Sequence, residues 1–381
     1  MANVLTALAP TLFSAANEVA AEPFGAVDSI NTNFSDRGVA IGDTVTVPVA
    51  PVAAASDYTP AMTTTAGTDA TASSVAVQIT ANKHVSWNLT GEQIRSLENG
   101  GNYQEWVRQL IGQGMRTLRN LAEADACAAI YKGGSRAVGT AGTTPFASTL
   151  DILVDARKVL RDNGAPMADM QFVMDTAAGA KALKLGVLQN AYQAGNETER
   201  RQGVFLRQFG FMIKESAGVV SHTKGAGTGY DFVTAGEAIG QTTLSVEGGT
   251  VNSTGIKAGD VITHAGDSVN AYVVNTGLTA TSGDIVIGNP GLKIAGVDAN
   301  EITIGNSYTA NMAFERNAIV GVIRPPLIPP NANIQQRTIS DGRGMTYLLV
   351  QVAGDGMLTW RLHLAWGFKV VQSEFVCIVM G

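Results

Sequence analysis

The sequence predicts an α+β fold in which one long helix and a mixed α/β unit carry an inserted small β-barrel. Three observations predict it. Residues 102–131 place apolar side chains at helical spacing. Residues 36–90 alternate apolar and polar side chains on either side of a small, polar middle. Residues 221–312 hold 16 of the chain's 43 glycines, spaced between short strand-like runs.

The first 30 residues carry Leu5, Leu8, Leu12, Ala16 and Val19 near helical spacing, and Pro23-Phe24-Gly25 ends the pattern. A short helix and an extended arm are expected, packed on another element or another subunit. Residues 36–90 read as a long hairpin. Thr44 to Val49 alternates at the strand period, and Val75, Val77 and Ile79 do so on the return. Such a ribbon is marginal alone and must lie on something. Arm and ribbon are therefore both expected to borrow apolar partners from adjoining copies.

In 102–131, Val107, Leu110, Ile111, Gly114, Leu118, Leu121 and Ala122 form the apolar face. Arg108, Arg116, Arg119 and Glu123 fall largely elsewhere, and Gly133-Gly134 supplies the stop. A spine roughly 45 Å long follows at 1.5 Å per residue. A second helix is expected from about Ser148 to Asn163, with Ser148 and Asp151 at capping-box spacing. Gln171–Met174 reads as a short buried strand, and Asp175 caps a helix to about Leu185.

Six strands are expected in the glycine-rich stretch: Tyr230–Val233, Thr242–Val246, Asp260–His264, Ala271–Val274, Asp284–Ile287 and Glu301–Ile304. Short strands with glycine turns suggest a small closed barrel, inserted because α/β character resumes at Ala313. Tyr347–Val352 and Phe375–Val379 close the chain as strands. There is no internal repeat.

Composition narrows the function classes. Charged residues are 15% of the chain, against roughly 25% in ordinary soluble domains, which suits a protein that covers much of its surface with neighbours. The net charge of −6 and the lack of a basic stripe make any DNA contact weak and non-specific. No run of about 18 apolar residues suggests a transmembrane helix. The first basic residue is Arg37, so no secretory n-region is read, and synthesis in the cytoplasm is expected. Cys127 and Cys377 are expected as buried thiols rather than a disulfide.

The order arm, hairpin, spine helix, α/β domain, inserted barrel and closing strands resembles the tailed-phage capsid fold, the HK-ninety-seven-like fold. Ala313-Phe314-Glu315-Arg316-Asn317-Ala318-Ile319, followed by Arg324-Pro325-Pro326, looks like a strand of the family's axial domain. Thr359-Trp360-Arg361-Leu362-His363-Leu364-Ala365-Trp366-Gly367-Phe368, then Ser373-Glu374-Phe375, is similar to the family's C-terminal ending. The barrel resembles the insertion domain of P-twenty-two-type coats, with Val219–Gly229 leading in and Gly255–Ile262 as a turn and strand.

The resemblance implies an N-terminal arm at 1–35, an extended hairpin at 36–90 and a peripheral domain with the spine helix at 91–147. It implies an axial domain at 148–221 and 313–345, an inserted β-barrel at 222–312, and C-terminal peripheral-domain strands at 346–381. It further implies a structural major capsid protein of an icosahedral bacteriophage head, found in the virion as hexamers and pentamers. The partners implied are a separate scaffolding protein, a portal protein and packaged double-stranded DNA, with no membrane. No fused scaffold domain is expected before the arm. The family's isopeptide cross-link uses a hairpin lysine, and none lies between Arg37 and Lys83, so no autocatalytic cross-linking is expected.

No catalytic residue, cofactor or metal site is expected. His84, His222, His264 and His363 lack metal-ligand spacing, and no G-x-S-x-G turn anchors a triad. Lys224–Gly229 could cradle phosphate, but it leads to a strand rather than a helix and reads as a mobile loop. Glu197 and Glu199 beside Arg200 and Arg201 read as a self-neutralising loop or an intersubunit ion-pair patch. Trp106, Trp360 and Trp366 read as core or interface anchors, and Trp87 as an anchor of the hairpin. Two other classes compete. One is a secreted or surface-exposed β-rich structural or adhesive protein, which should carry an export signal. The other is an enzyme of unfamiliar fold, which should show a convergent polar site.

Overall fold

The computed structural model describes residues 9–20, 24–34, 38–49, 73–186, 207–233, 235–329, 334–341 and 343–381. Helix α1 (Ala9–Ala20) is followed by β1 (Asn31–Phe34), then by the ribbon strands β2 (Thr44–Val49) and β3 (Ser73–Gln78). The return continues as a separate strand, β4 (Ala81–Thr90), into helix α2 (Gly91–Asn99). Thr90 and Gln93 close a reciprocal capping box there. The spine α3 (Tyr103–Lys132) matches the helical spacing within a residue at each end.

Its buried face differs from the one expected. Leu121 is exposed, whereas Arg119 and Glu123 are buried. The apolar row runs through Val107, Ile111, Met115, Leu118, Ala122, Ala126 and Ile130, and both charged residues sit on that stripe because each finds partners inside. After β5 (Arg136–Gly139) comes α4 (Asp151–Asp162). The expected Ser148–Asp151 capping box does not form: Leu150 is the N-cap, and Thr149 Oγ1 instead accepts the Asp151 amide at 3.4 Å. Strand β6 (Met170–Met174) is buried throughout, and Asp175 caps α5 (Thr176–Leu183) by accepting from the Ala177 and Ala178 amides. Strand β7 (Phe211–Glu215) follows.

The glycine-rich stretch forms β8 (Ser221–His222), β9 (Tyr230–Phe232), β10 (Thr243–Glu247), β11 (Val261–His264), β12 (Asp267–Thr276), β13 (Gly283–Ile287) and β14 (Glu301–Ile304). All six expected strands are present. They pair in the order β11-β14-β9-β10-β13-β12, and β12 returns to pair with β11, so the circuit closes. Each contributes inward residues to one core, among them Phe232, Val246, Ile262, Val274, Ile285 and Ile302.

The chain resumes at β15 (Tyr308–Glu315), five residues before the expected Ala313. After a 3-10 turn at Arg316–Ala318 come β16 (Ile319–Arg324), β17 (Ile334–Ser340), β18 (Thr346–Ala353), β19 (Met357–Val370) and β20 (Val376–Met380). One six-stranded sheet runs β1-β16-β19-β18-β17, with β4 along the other edge of β19. The spine lies on it, burying Trp360, Leu362, Leu364 and Trp366 against its own apolar row. A second core joins α4 and α5 to β6, β7, β15 and β20. There β20 lies between β15 and β5, and β5 pairs with β12, which joins the closed circuit to the larger sheet.

Candidate functional site

The ribbon is built by alternation. Val45 faces Val77 and Val47 faces Val75 across β2 and β3, so valines collect on one side. At the base, Val77 and Ile79 are buried with Val39, Val320, Val322 and Ala365, and Val45 and Val47 are half-buried on the same cluster. Gly367 permits this close approach, because a Cβ there would collide with the Gln78 carbonyl oxygen. Lys369 Nζ adds a 3.2 Å hydrogen bond to the Ala76 carbonyl. Among the described residues β2 pairs with β3 alone. The ribbon is thus rooted in its own subunit and, among its described residues, supported mainly at the base. Trp87 lies in β4, opposite Trp360, and packs toward Gly114 of the spine rather than under the ribbon.

The N-terminal segment does not match the expectation of borrowed partners. Ala15, Ala16 and Val19 of α1 are buried in the main core with the spine. Glu18 pairs with Arg108 at 2.5 Å and Arg116 at 3.1 Å. Downstream, Glu123 accepts from the Ala26 amide (2.6 Å), the Val27 amide (2.9 Å) and Ser216 Oγ (2.6 Å). Arg119 reaches Asp28 at 3.0 Å and Asp341 at 3.5 Å, with its guanidinium 4.0 Å above the Phe24 ring. Arg343 also pairs with Asp28, and Lys214 Nζ donates to the Asp28 carbonyl at 3.0 Å. Burial raises the Asp341 carboxyl above its ordinary range, against the amides of Met345 and Arg343 and the charge of Arg119. Residues 24–28 are therefore latched to the spine within one chain.

The histidines divide by environment. His84 and His363 face each other across β4 and β19 with stacked rings 5.0 Å apart. Burial, then His84 and Arg361, lower His363 to about 4. His264 is buried beside Phe232, and burial lowers it. His222 is buried, hydrogen-bonded through Nε2 to Asp260 at 2.8 Å and 3.4 Å from the Tyr131 hydroxyl. Asp260 also takes the Gly225 amide (2.9 Å) and the Lys257 amide (2.7 Å), so the 224–229 loop is pinned rather than free, and β9 follows it, not a helix.

Among the described residues no group of three or more His, Cys, Asp and Glu side chains could hold a metal ion, and no helix is long and apolar enough to cross a membrane. Cys127 and Cys377 are free and buried in different cores; burial pushes the Cys377 thiol up to about 12. Trp360 and Trp366 are wholly buried, Trp366 donating to Asp125 at 2.8 Å, and Trp106 packs at the core's margin. Glu197, Glu199, Arg200 and Arg201 lie outside the described residues.

No protein-family model and no curated protein matches the chain. Solved structures similar to it include a chain from Mycobacterium phage Che8, at 14% identity and a TM-score of 0.46, covering 89% of this chain and 84% of that one. The mature capsid of bacteriophage PhiM1 gives 10%, 0.46, 92% and 85% in the same order. A virus-like particle from Pyrococcus furiosus gives 8%, 0.46, 97% and 98%. Similarity this low stands beside the functional reading and does not carry it.

Proposed function

We propose that the chain is a non-enzymatic shell subunit, the major capsid protein of a tailed-phage-type particle. The observation that carries the proposal is the ribbon β2–β3: a self-paired, two-stranded sheet with valines on one side, of which only the base is well covered by its own chain. A two-stranded ribbon is marginal in water, and an adjoining copy would supply the missing support. The described part of the arm packs within its own chain, which removes one of the two expected reasons for assembly and leaves the ribbon as the other.

In the same reading, the closed six-strand circuit is an inserted barrel of the P-twenty-two type within 222–312, and the spine at 91–147 and the strands of 346–381 are the peripheral domain. The axial domain comprises 148–221 and 313–345, capsomers are hexamers and pentamers, and the scaffold and portal are separate proteins. The site of action is the virion, with assembly in the host cytoplasm and weak, non-specific contact with packaged DNA. Chains of a mature phage capsid and of a virus-like particle are among the similar structures.

Expression of the chain alone and with a scaffolding protein, followed by sedimentation and electron microscopy, tests this. Closed particles are expected. Val47→Ser with Val75→Ser should leave a folded subunit that assembles poorly. A chain that stays monomeric under every condition would refute the proposal.

A further inference from the structure

Where the closed circuit meets the body, the end of α3, β8 and the turns at 254–258 and 277–279 line an open cavity of about 490 Å³. Its polar lining is one-sided. Lys132 and Lys257 bring ammonium groups, and Ser221, Thr223, Thr254 and Thr279 bring hydroxyls. No lining residue carries a carboxylate.

The carboxylate behind the wall, Asp260, is wholly buried and already engaged by His222 Nε2 and the Gly225 and Lys257 amides. Among the described residues, neither lysine has an ion-pair partner. Lys257 Nζ touches the Thr223 and Lys224 carbonyls at 3.4 and 3.5 Å, and Lys132 Nζ lies 5.7 Å from the Tyr131 ring centre. Thr254 Oγ1 accepts the Ala226 amide at 2.9 Å, which leaves its proton to donate outward.

We propose that this cavity binds a phosphoryl group. Phosphate oxygens accept several hydrogen bonds at once, and charge-assisted bonds from ammonium groups are the strong ones. A concave wall of one sign concentrates an anion even on a chain of net charge −6. Lys132 also sits in the last turn of α3, where a cation is favoured by the helix dipole. That role accounts for neither Lys257 nor the hydroxyls. The proposal does not rest on the shell reading.

Calorimetric titration of the unassembled full chain, at constant ionic strength in chloride, tests it with potassium phosphate, ATP and a short DNA duplex. Saturable binding is expected for at least one of the three. It should weaken about tenfold or more, equivalent to roughly 1.4 kcal/mol, in Lys132→Gln with Lys257→Gln. It should persist in Lys132→Arg with Lys257→Arg, and in Lys158→Gln, a remote exposed lysine paired with Asp162. Whichever probe binds best with this lysine dependence identifies the source of the phosphoryl group. No saturable binding by any probe, or binding indifferent to the two Gln substitutions, overturns the proposal. If the double Gln variant does not fold, Lys257→Gln alone must weaken binding about threefold or more, and a smaller effect also overturns it.

Discussion

At the scale of single residues, the spine's two buried charges set the stability of the N-terminal latch. Arg119→Met would leave the buried Asp341 carboxylate without its guanidinium and Asp28 with that of Arg343 alone. Breaking a buried pair from one side typically costs about 3–5 kcal/mol, so the urea midpoint should fall by that equivalent. An unchanged midpoint would mean the cluster is not buried in solution. His363 gives a pH signature. Its folded value of about 4 lies below the usual 6.5, so the unfolded chain binds the extra proton between those values. Stability from the neutral imidazole is complete above about pH 6.5, declines as pH falls toward 4, and is flat below. His363→Gln should flatten that part of the urea-midpoint profile, and an identical slope in both proteins would contradict the assignment. Neither role was legible in the sequence. Helical periodicity sorts charges outward, and the partners of Arg119 and Glu123 lie some 90 to 220 residues away along the chain.

At the scale of elements, legibility followed one-sided burial. The six strands of the closed circuit and the spine were readable because each buries one face, which imprints period two or 3.6 on the sequence. Strand β19 carries the same imprint in Leu358, Trp360, Leu362, Leu364 and Trp366, and its 14 residues are a strand that the sequence expectation lacks. At the start of α4 Leu150 is the N-cap and Thr149 rather than Ser148 accepts the Asp151 amide, a local side-chain bond that spacing alone does not choose. Gly367 explains in physical terms why glycine follows Trp366: the ribbon's return passes directly over it. Gly367→Ala should therefore cost about 1–3 kcal/mol, the usual penalty of overpacking. Its damage should be local, with faster amide exchange at Val77 and Ile79 than in α3. Uniform loss of protection throughout the chain would place the strain elsewhere.

For the whole molecule, the question is whether the closed circuit is an insertion that the body can do without. The two chain ends that lead into it are already neighbours: β8 pairs antiparallel with β15 through His222↔Tyr308, and the Lys224 amide donates to Ser307 Oγ at 3.2 Å. A short turn from Thr223 to Ser307 would therefore replace residues 224–306 without moving either strand. The limits matter, because Met312 and Phe314 of β15 are buried in the main core, and a cut extending to residue 312 would remove most of a central strand. What the excision exposes is also defined. Strand β5 would lose β12 but keep β20, Tyr131 would lose its cover from Gly259, and the main core would lose Val261 and Val273. The expected outcome is a shortened chain that unfolds cooperatively, at a lower urea midpoint than the full protein. Its fluorescence should still report buried Trp360 and Trp366, since both belong to the main core with the spine and not to the circuit's own core. A shortened chain with no cooperative transition would show instead that the β5–β12 seam makes the circuit an integral part of the fold.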